Sequence, residues 1–325
     1  MRRRTGTGGG RMVVAMQAEG FDGPEALRAV EVDPGEPTPG RVRIAVRAAG
    51  VNPADAKLLR GMFGRGRVPV RPGSEISGVV TAVGEGAEGP LGQIRVGDEV
   101  VAFRVSGGYS AELVAPASAV LPKPAGLGWA AAAGLLLAGT TAEHLVEATR
   151  VSSGDTVLVH GASGAVGSLA VQLAVARGAR VLGTTSERGE EVVRRFGAEP
   201  VRYGAGLEER VRVLAPGGVD VALDTAGIDE ALDASVALVA DRSRIATVAG
   251  FEHAARLGGI LMLGGGPGAD PGTALRDAAR PGLLDRAGRG ELEVVLGPSF
   301  PLTEAAAALA LVESGRARGK TVLLP

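Results

Sequence analysis

The stretch VLVHGASGAVGSLAVQLA, residues 157–174, decides the fold of this chain. An apolar run rich in β-branched residues enters a glycine turn, and the turn opens directly into a segment with the apolar spacing of a helix. This order predicts a dinucleotide site, because a helix N-terminus offers unpaired N–H groups and a positive dipole end to phosphates. The turn residues expected to contact the cofactor are Gly161, Ala162, Ser163, Gly164, Ala165 and Val166.

Two glycines of this turn have separate uses. Gly164 lets the backbone approach a pyrophosphate without interference from a Cβ atom, and Gly167 lets the helix pack closely on the strand. Ala162 stands where the pattern G-x-G-x-x-G usually has its first glycine, so the match departs mildly from the usual fingerprint.

The composition is that of a globular chain with little charge bias. The 325 residues suffice for two domains, 45% of them are hydrophobic, and the formal net charge is −1. This balance argues against nucleic acid or a membrane surface as a partner. The absence of cysteine excludes disulfides, a thiolate nucleophile and cysteine-bound zinc. No apolar run is long enough for a membrane span and no signal-peptide core follows the N-terminus, so a cytoplasmic enzyme is expected.

The pattern of apolar and turn residues changes along the chain and divides it into two parts. Residues 12–121 alternate short β-like runs with glycine and proline turns, which predicts a compact, irregular β domain. From about residue 125, strands alternate with helices, as at 156–160, 165–177 and 180–184. This alternation predicts a parallel sheet with helices on both faces. Residues 1–11, basic and then glycine-rich, are expected to form a disordered extension.

Several separated blocks resemble the zinc-independent, quinone oxidoreductase-like (zeta-crystallin-like) branch of the medium-chain dehydrogenase/reductase superfamily. The blocks that carry the resemblance are 50–55, 72–78, 96–100, 108–112, 138–142, 161–167, 300–306 and 319–320. The resemblance implies an α/β protein with a GroES-like, β-rich catalytic domain, residues 12–121 and 270–325. It implies that a doubly wound Rossmann domain, residues 122–269, interrupts this domain. It also implies an interdomain nicotinamide cleft and commonly a homodimer, which residues 259–263 would form by edge pairing.

The same resemblance argues against a metal site. Zinc-dependent relatives have a cysteine where Asn52 stands and a histidine where Ser74 stands. A carboxamide and a hydroxyl are poor zinc ligands, and the three histidines show no ligand spacing. Without a Lewis acid to generate an alkoxide, hydride transfer to an electrophilic quinone or α,β-unsaturated carbonyl is favoured over alcohol oxidation.

The end of the second strand in the Rossmann region favours NADPH over NADH. NAD enzymes of this fold usually have a carboxylate there, which accepts from the ribose 2′-hydroxyl. This chain instead has small hydroxyl side chains, those of Thr184, Thr185 and Ser186. Arg188 follows, and a guanidinium suits a 2′-phosphate. Tyr203 matches a tyrosine that packs near this phosphate in related NADPH reductases. Glu187 is contrary evidence, since it would suit NAD if it turned inward.

The resemblance also implies a reacting centre. Asn52 is expected beside the nicotinamide, where it would hydrogen-bond the acceptor carbonyl; alternatively it closes a turn before a helix. Thr141 is expected near the nicotinamide carboxamide, and Ala249 and Gly250 at the end of a strand are expected to approach the ring. Tyr109 is the candidate catalytic phenol, and loop packing is its alternative.

Three functions remain open on the sequence. The first is an NADPH-dependent reductase of quinones or small enones. The second is an enoyl-thioester reductase, since polyketide and fatty enoyl reductase domains share the block at Asn52 and Asp55. Its phosphopantetheine or coenzyme A would need a basic entrance, which the arginines of the glycine-rich segment 60–71 would supply unless they are simply solvated. The third is a non-catalytic NADPH-binding protein.

Overall fold

A computed structural model describes residues 11–325, so the expected disordered extension lies outside the described residues except at its last position. The chain divides into two compact units. The first contains the residues up to Lys123, with Ser299–Gly315 and Val322–Pro325, and the second contains Pro124–Pro298 and Arg316–Thr321.

The first unit is built around an antiparallel sheet. In the first part of the chain its elements are β1 (Val13–Gln17), β2 (Arg28–Val32), β3 (Arg41–Gly50), α1 (Pro53–Leu59), β4 (Glu75–Val83), β5 (Glu88–Gly89), β6 (Gly92–Gln93), β7 (Glu99–Phe103), β8 (Glu112–Pro116) and β9 (Val120–Pro122). The core between these elements includes Ile44, Leu59, Ile76 and Tyr109.

The second unit alternates strands with helices. Its elements are α2 (Trp129–Ala148), β10 (Thr156–His160), α3 (Ala165–Ala176), β11 (Arg180–Thr185), α4 (Glu190–Arg195), β12 (Glu199–Arg202), α5 (Leu207–Leu214), β13 (Val221–Asp224), α6 (Asp229–Leu238), β14 (Ile245–Thr247), α7 (Phe251–Leu257), β15 (Leu261–Met262) and α8 (Thr273–Gly288). The chain ends with β16 (Leu296–Pro301), α9 (Ala305–Glu313) and β17 (Lys320–Leu324).

The last strand of the chain, β17, belongs to the sheet of the first unit. Its strand order is β16-β17-β3-β4-β7-β9, and β8 also pairs with β3. Val322 and Leu323 of β17 pair antiparallel with Gly50 and Ala49 of β3, so the C-terminus completes a sheet that began near residue 41.

The sheet of the second unit is parallel and has the order β12-β11-β10-β13-β14-β15. The strand order reverses at β10, and in such sheets ligands bind outside the carboxyl ends of the strands at this reversal. The predicted fold class is confirmed: a GroES-like β-rich domain and a doubly wound parallel-sheet domain are both present.

The division differs from the expected one in residues 270–298, which the sequence assigned to the first domain. The physical reason is packing of α8 along α2, where Leu283 lies against Gly139 so closely that a Cβ there would be 3.3 Å from a Leu283 methyl group. No helix among residues 11–325 is long and apolar enough to cross a membrane.

Candidate cofactor-binding and active site

The glycine turn lies between β10 and α3, at the carboxyl end of the first strand of the parallel sheet. Gly161 has φ +72°, a left-handed conformation that favours glycine. The N–H of Gly164 donates to the Gly161 carbonyl at 2.9 Å, and α3 begins at the next residue. A Cβ at Gly167 would lie 2.2 Å from that same carbonyl oxygen. The turn is therefore closed by its own backbone, and the first N–H groups of α3 lack helical acceptors.

Ala162, at the position of the missing first glycine, is accommodated by a glycine on the neighbouring strand. A Cβ added at Gly183 of β11 would lie only 2.7 Å from the Cβ of Ala162. The Ala162 side chain thus occupies space that Gly183 leaves open, and the turn keeps its shape. Gly183 was missed in the sequence, although its place opposite the turn in the next strand was a usable signal.

Two of the three hydroxyls expected to face a 2′-phosphate turn inward. Thr184 accepts from the N–H of Gly161 at 3.2 Å, and Thr185 hydrogen-bonds Ser163 at 2.8 Å. Both threonines are buried, whereas Ser186 is half-buried at the start of the following 3-10 turn. The two threonines therefore brace the glycine turn, and Ser186 alone of the three stays near the surface.

Two charged residues follow the carboxyl end of β11, next to the edge strand β12. Glu187 is exposed and pairs with Arg202, at 3.3 Å between Oε2 and Nη1. Arg188 is exposed and makes no ion pair with any residue in 11–325. Because Thr185 and Arg202 are register partners in parallel strands, Ser186 and the exposed Tyr203 emerge at the same edge.

Asp224, at the end of β13, hydrogen-bonds the loop that follows β13 and the end of β14. Its buried carboxylate accepts from the N–H groups of Ala226 and Gly227 at 2.9 and 3.0 Å, and from the Thr247 hydroxyl at 2.7 Å. The Thr247 oxygen accepts in turn from the N–H groups of the loop residues expected to approach the nicotinamide. These are Ala249, at 3.2 Å, and Gly250, at 3.1 Å. Sequence analysis missed Asp224, although an acidic residue ending an apolar strand was a signal.

Thr141 lies in the middle of α2. Its side chain is buried and its hydroxyl donates to the Leu137 carbonyl one turn earlier, at 2.7 Å. The hydroxyl hydrogen is thereby used within the helix, so Thr141 has only its oxygen lone pairs to offer a carboxamide N–H.

In the first unit, Asn52 belongs to a buried polar network at the start of α1. Asp55 accepts from the backbone N–H of Asn52 at 3.0 Å and from the N–H of Gly73 at 3.1 Å. The Asn52 amide donates to Glu75 at 3.0 Å. Asn52, Asp55 and Glu75 are all almost fully buried, so the network fixes the amide rather than leaving it free to rotate.

Tyr109 closes the same network and is not exposed. Its hydroxyl donates to Asp55 at 3.0 Å, and its ring is completely buried. Burial, followed by the negative charges of Asp55 and Glu75, raises the pKa of this phenol well above its usual value. Burial and the hydrogen bond to Asp55 favour the alternative interpretation, in which Tyr109 packs the loop. Its role as a catalytic phenol stays a prediction.

Comparison with known proteins gives the family. A family model described as the alcohol dehydrogenase GroES-like domain matches residues 38–145, and one described as zinc-binding dehydrogenase matches residues 196–323. A quinone oxidoreductase of Pseudomonas aeruginosa is 31% identical over an alignment that covers 97% of this chain and 100% of that protein. The chain belongs to the quinone oxidoreductase family of medium-chain dehydrogenases/reductases. As a member of this family it is an oxidoreductase.

Two further relatives bear on the chemistry. A mycobacterial protein whose structure was determined in complex with NADPH is 30% identical, with a TM-score of 0.80 over 96% of this chain and 100% of that chain. The phthioceranic/hydroxyphthioceranic acid synthase of Mycobacterium bovis is 32% identical over 306 residues, which is 88% of this chain but 14% of that longer protein.

Proposed function

We propose that this quinone oxidoreductase family member transfers hydride from NADPH to a quinone or an α,β-unsaturated carbonyl compound, without zinc. The observation that carries the proposal is the glycine turn at the carboxyl end of β10, in a chain that matches a quinone oxidoreductase along its whole length. The bound cofactor supplies the hydride, and the protein supplies binding and orientation.

The turn suits a diphosphate on its outer side. Residues 163–166 are half-exposed, and a Cβ at Gly164 would have only the Gly161 carbonyl oxygen within 4 Å, at 3.2 Å. Backbone can therefore approach a ligand there, and the N-terminus of α3 favours its negative charge. These contacts are common to NADH and NADPH, so they support a dinucleotide without selecting one.

We assign the preference for NADPH over NADH to the residues that follow the carboxyl end of β11. We assign the hydrogen bonds to a 2′-phosphate to Arg188 and Ser186, which follow the carboxyl end of β11, and Tyr203 follows the carboxyl end of β12 beside them. Glu187, the group that would favour NADH, is occupied by Arg202. The cofactor is NADPH.

Zinc independence is supported by donor chemistry. The Asn52 amide donates to Glu75, and Ser74 offers only a neutral hydroxyl, where zinc enzymes of this superfamily have a cysteine and a histidine. No group of three histidine, aspartate or glutamate side chains in the described part of the chain is placed to hold a metal ion.

Ser74 has a further use in binding the acceptor. Its hydroxyl oxygen is buried but has no hydrogen-bond partner among residues 11–325. An unsatisfied buried hydroxyl costs about 1–3 kcal/mol, which a ligand oxygen would recover. Hydride transfer to a conjugated carbonyl builds negative charge on its oxygen, so we assign to Ser74 a hydrogen bond to that oxygen, beside Asn52. Water supplies the proton that completes the reduction.

The decisive experiment follows the absorbance of reduced nicotinamide with purified protein. NADPH and NADH are each offered with benzoquinone, phenanthrenequinone, a simple enone and crotonyl-coenzyme A. We expect NADPH to be oxidised by a quinone or the enone, and NADH to be a poorer donor. Binding of NADPH without turnover of any acceptor would contradict the enzymatic proposal and favour the non-catalytic reading.

Enoyl-thioester reduction is the second candidate, favoured by the similarity to the mycobacterial synthase over most of this chain. Between the arginines of segment 60–71, Met62 and Phe63 are exposed, so the segment presents apolar and basic groups together. An acyl chain and a phosphate of coenzyme A have the complementary chemistry. Clear preference for crotonyl-coenzyme A over quinones would move this candidate to first place.

We further propose that the protein acts in the cytoplasm as a homodimer. The support for a dimer is the family resemblance, with residues 259–263 as its expected seam. This segment includes β15, the last strand of the parallel sheet, where the Met262 carbonyl already accepts from the Asp270 N–H at 2.8 Å. Sedimentation showing a monomer at micromolar concentration would remove this proposal.

A further inference from the structure

A line of hydrogen bonds joins the glycine turn to helix α6 through the buried ring of His160. The N–H of Gly161 donates to Thr184 Oγ1 at 3.2 Å, and Thr184 Oγ1 lies 3.4 Å from His160 Nδ1. On the other side of the ring, His160 Nε2 lies 3.1 Å from Ser235 Oγ. Ser235 donates to the Ala231 carbonyl at 2.7 Å, which ends the line. The three linking side chains are buried.

The hydrogens along this line assign the tautomer of the ring. The Ser235 hydrogen is used on Ala231, so Ser235 accepts from an N–H at His160 Nε2. A neutral ring with its N–H at Nε2 has only a lone pair at Nδ1, so Thr184 donates its hydrogen to Nδ1 while its oxygen accepts from Gly161. Each donor then has one acceptor, provided that the imidazole is neutral and is protonated only at Nε2.

The surroundings keep the ring neutral. Burial lowers the pKa of His160, and this effect outweighs the opposing influence of Asp224 on β13 and Glu230 on α6. An imidazolium would donate from both nitrogens. Thr184 would then accept from Nδ1–H as well as from the Gly161 N–H, and its own hydrogen would have to turn away from the ring.

We propose that His160 is a positioning residue for cofactor binding: its neutral ring holds Thr184 in the orientation that accepts from Gly161. Thr184 thereby holds the turn in the shape that receives a diphosphate. The inference rests on the dinucleotide binding proposed above, but it concerns only the diphosphate end of the cofactor. ADP-ribose, which has the diphosphate but neither a 2′-phosphate nor a nicotinamide, is therefore the appropriate probe.

The first test compares variants of the full chain by calorimetric titration with ADP-ribose at neutral pH. His160→Asn places an amide oxygen where Nδ1 stands and should still accept from Thr184, so its affinity should stay within about threefold of the parent. His160→Leu offers no acceptor and should bind about tenfold more weakly, the effect of losing roughly one hydrogen bond. Thr184→Val, which has nearly the same shape, should weaken binding similarly.

Controls separate this effect from general loss of structure. His253→Asn changes a half-buried histidine of the same unit that bonds to Asp233, and should bind ADP-ribose like the parent. Equal affinities of His160→Leu and the parent would overturn the proposal, and so would an Asn variant as weak as the Leu variant. If the parent binds neither ADP-ribose nor NADPH, the proposed function itself fails.

The second test measures the protonation state of the ring without any ligand. The sequence has three histidines, so nitrogen NMR of the imidazoles should resolve each ring. We expect His160 at neutral pH to show a protonated Nε2 and an Nδ1 that accepts a hydrogen bond. The Nδ1 resonance alone should shift strongly in Thr184→Val. A ring protonated at Nδ1 would overturn the inference independently of any binding measurement.

Discussion

Arg188 follows β11 in a 3-10 turn, and its guanidinium is exposed at the edge assigned to the 2′-phosphate. Arg188→Ala should weaken NADPH binding by about 1.5–3 kcal/mol for each charge-assisted hydrogen bond that is lost. NADH has no 2′-phosphate, so its affinity should barely change. Fluorescence titration of both cofactors measures this, with Arg289→Ala as a control in the same unit. Equal losses for NADH and NADPH would refute the assignment.

Arg202 determines where the Glu187 carboxylate lies. The two side chains are exposed and 3.3 Å apart, and Arg202 also bonds Glu190. Arg202→Ala should free Glu187 to accept from a ribose 2′-hydroxyl and to repel a 2′-phosphate. The NADPH-to-NADH ratio of kcat/KM should then fall by up to about fivefold, the scale of a surface ion pair. The double variant Glu187→Gln with Arg202→Ala should recover the ratio; a persistent fall would show that Arg202 acts on NADPH directly.

Ser74 is the residue to which we assign the hydrogen bond with the carbonyl oxygen of the acceptor. Ser74→Ala should lower kcat for quinone or enone about tenfold, because one hydrogen bond to the developing negative charge is lost. The dissociation constant of NADPH should not change, since the hydrogen bond assigned to Ser74 is to the acceptor and not to the cofactor. Ser314→Ala, at an exposed hydroxyl bonded to the Leu311 carbonyl, is the matched control. An unchanged kcat in Ser74→Ala would exclude this role.

At the scale of elements, the junction of β10, the glycine turn and β11 depends on a pair of small residues. A methyl group at Gly183 would lie 2.7 Å from the Ala162 Cβ and 2.8 Å from a Val193 methyl group. Gly183→Ala should therefore destabilise the chain by about 1–3 kcal/mol, as overpacking does in a close-packed core. Urea unfolding measures the change in the free energy of unfolding.

Two variants make this experiment decisive. Adding Ala162→Gly to Gly183→Ala should recover part of the loss, because one of the two clashes disappears while that with Val193 remains. Gly217→Ala, where a Cβ would meet nothing within 4 Å, should have little effect. A Gly183→Ala protein as stable as the parent would show that β11 moves freely relative to the turn.

The elements themselves were predicted unequally well. Strand 156–160 was placed at its observed bounds, because a β-branched run ending in a glycine turn leaves little freedom. The strand expected over 180–184 continues to Thr185, whose hydroxyl bonds Ser163 in the glycine turn. Helix α8 was missed. It contains Pro281 and has many charged residues, so its apolar stripe is weak, and its place is set by packing on α2.

At the scale of the whole molecule, buried neutral histidines make stability depend on pH. Burial lowers the pKa of His160 and, together with Arg276, the pKa of His144. The unfolded chain binds protons at these rings more readily than the folded chain, so their contribution is complete above the ordinary histidine pKa of about 6.5. It is lost as the pH falls below that value towards the folded pKa.

The free energy of unfolding should therefore fall between pH 7.5 and pH 5, by at most about 1.4 kcal/mol per pH unit for each of the two histidines. Chemical denaturation across this range measures the slope. His144→Gln and His160→Asn should each flatten it, and Ser314→Ala, which removes no titratable group, should not. A free energy of unfolding that is constant down to pH 5 would contradict the prediction.

The sequence by itself determined the dinucleotide turn, the strand–helix alternation and the family, because each is a short-range pattern of residue types. The tertiary structure alone decided the direction and partners of the polar side chains. Thr184 and Thr185 turn inward, Tyr109 is buried on Asp55, and Asp224 and His160 hold loops from adjacent strands. Hydrogen bonds between residues far apart in sequence specify these outcomes, so they could be found only once the sheets were assembled.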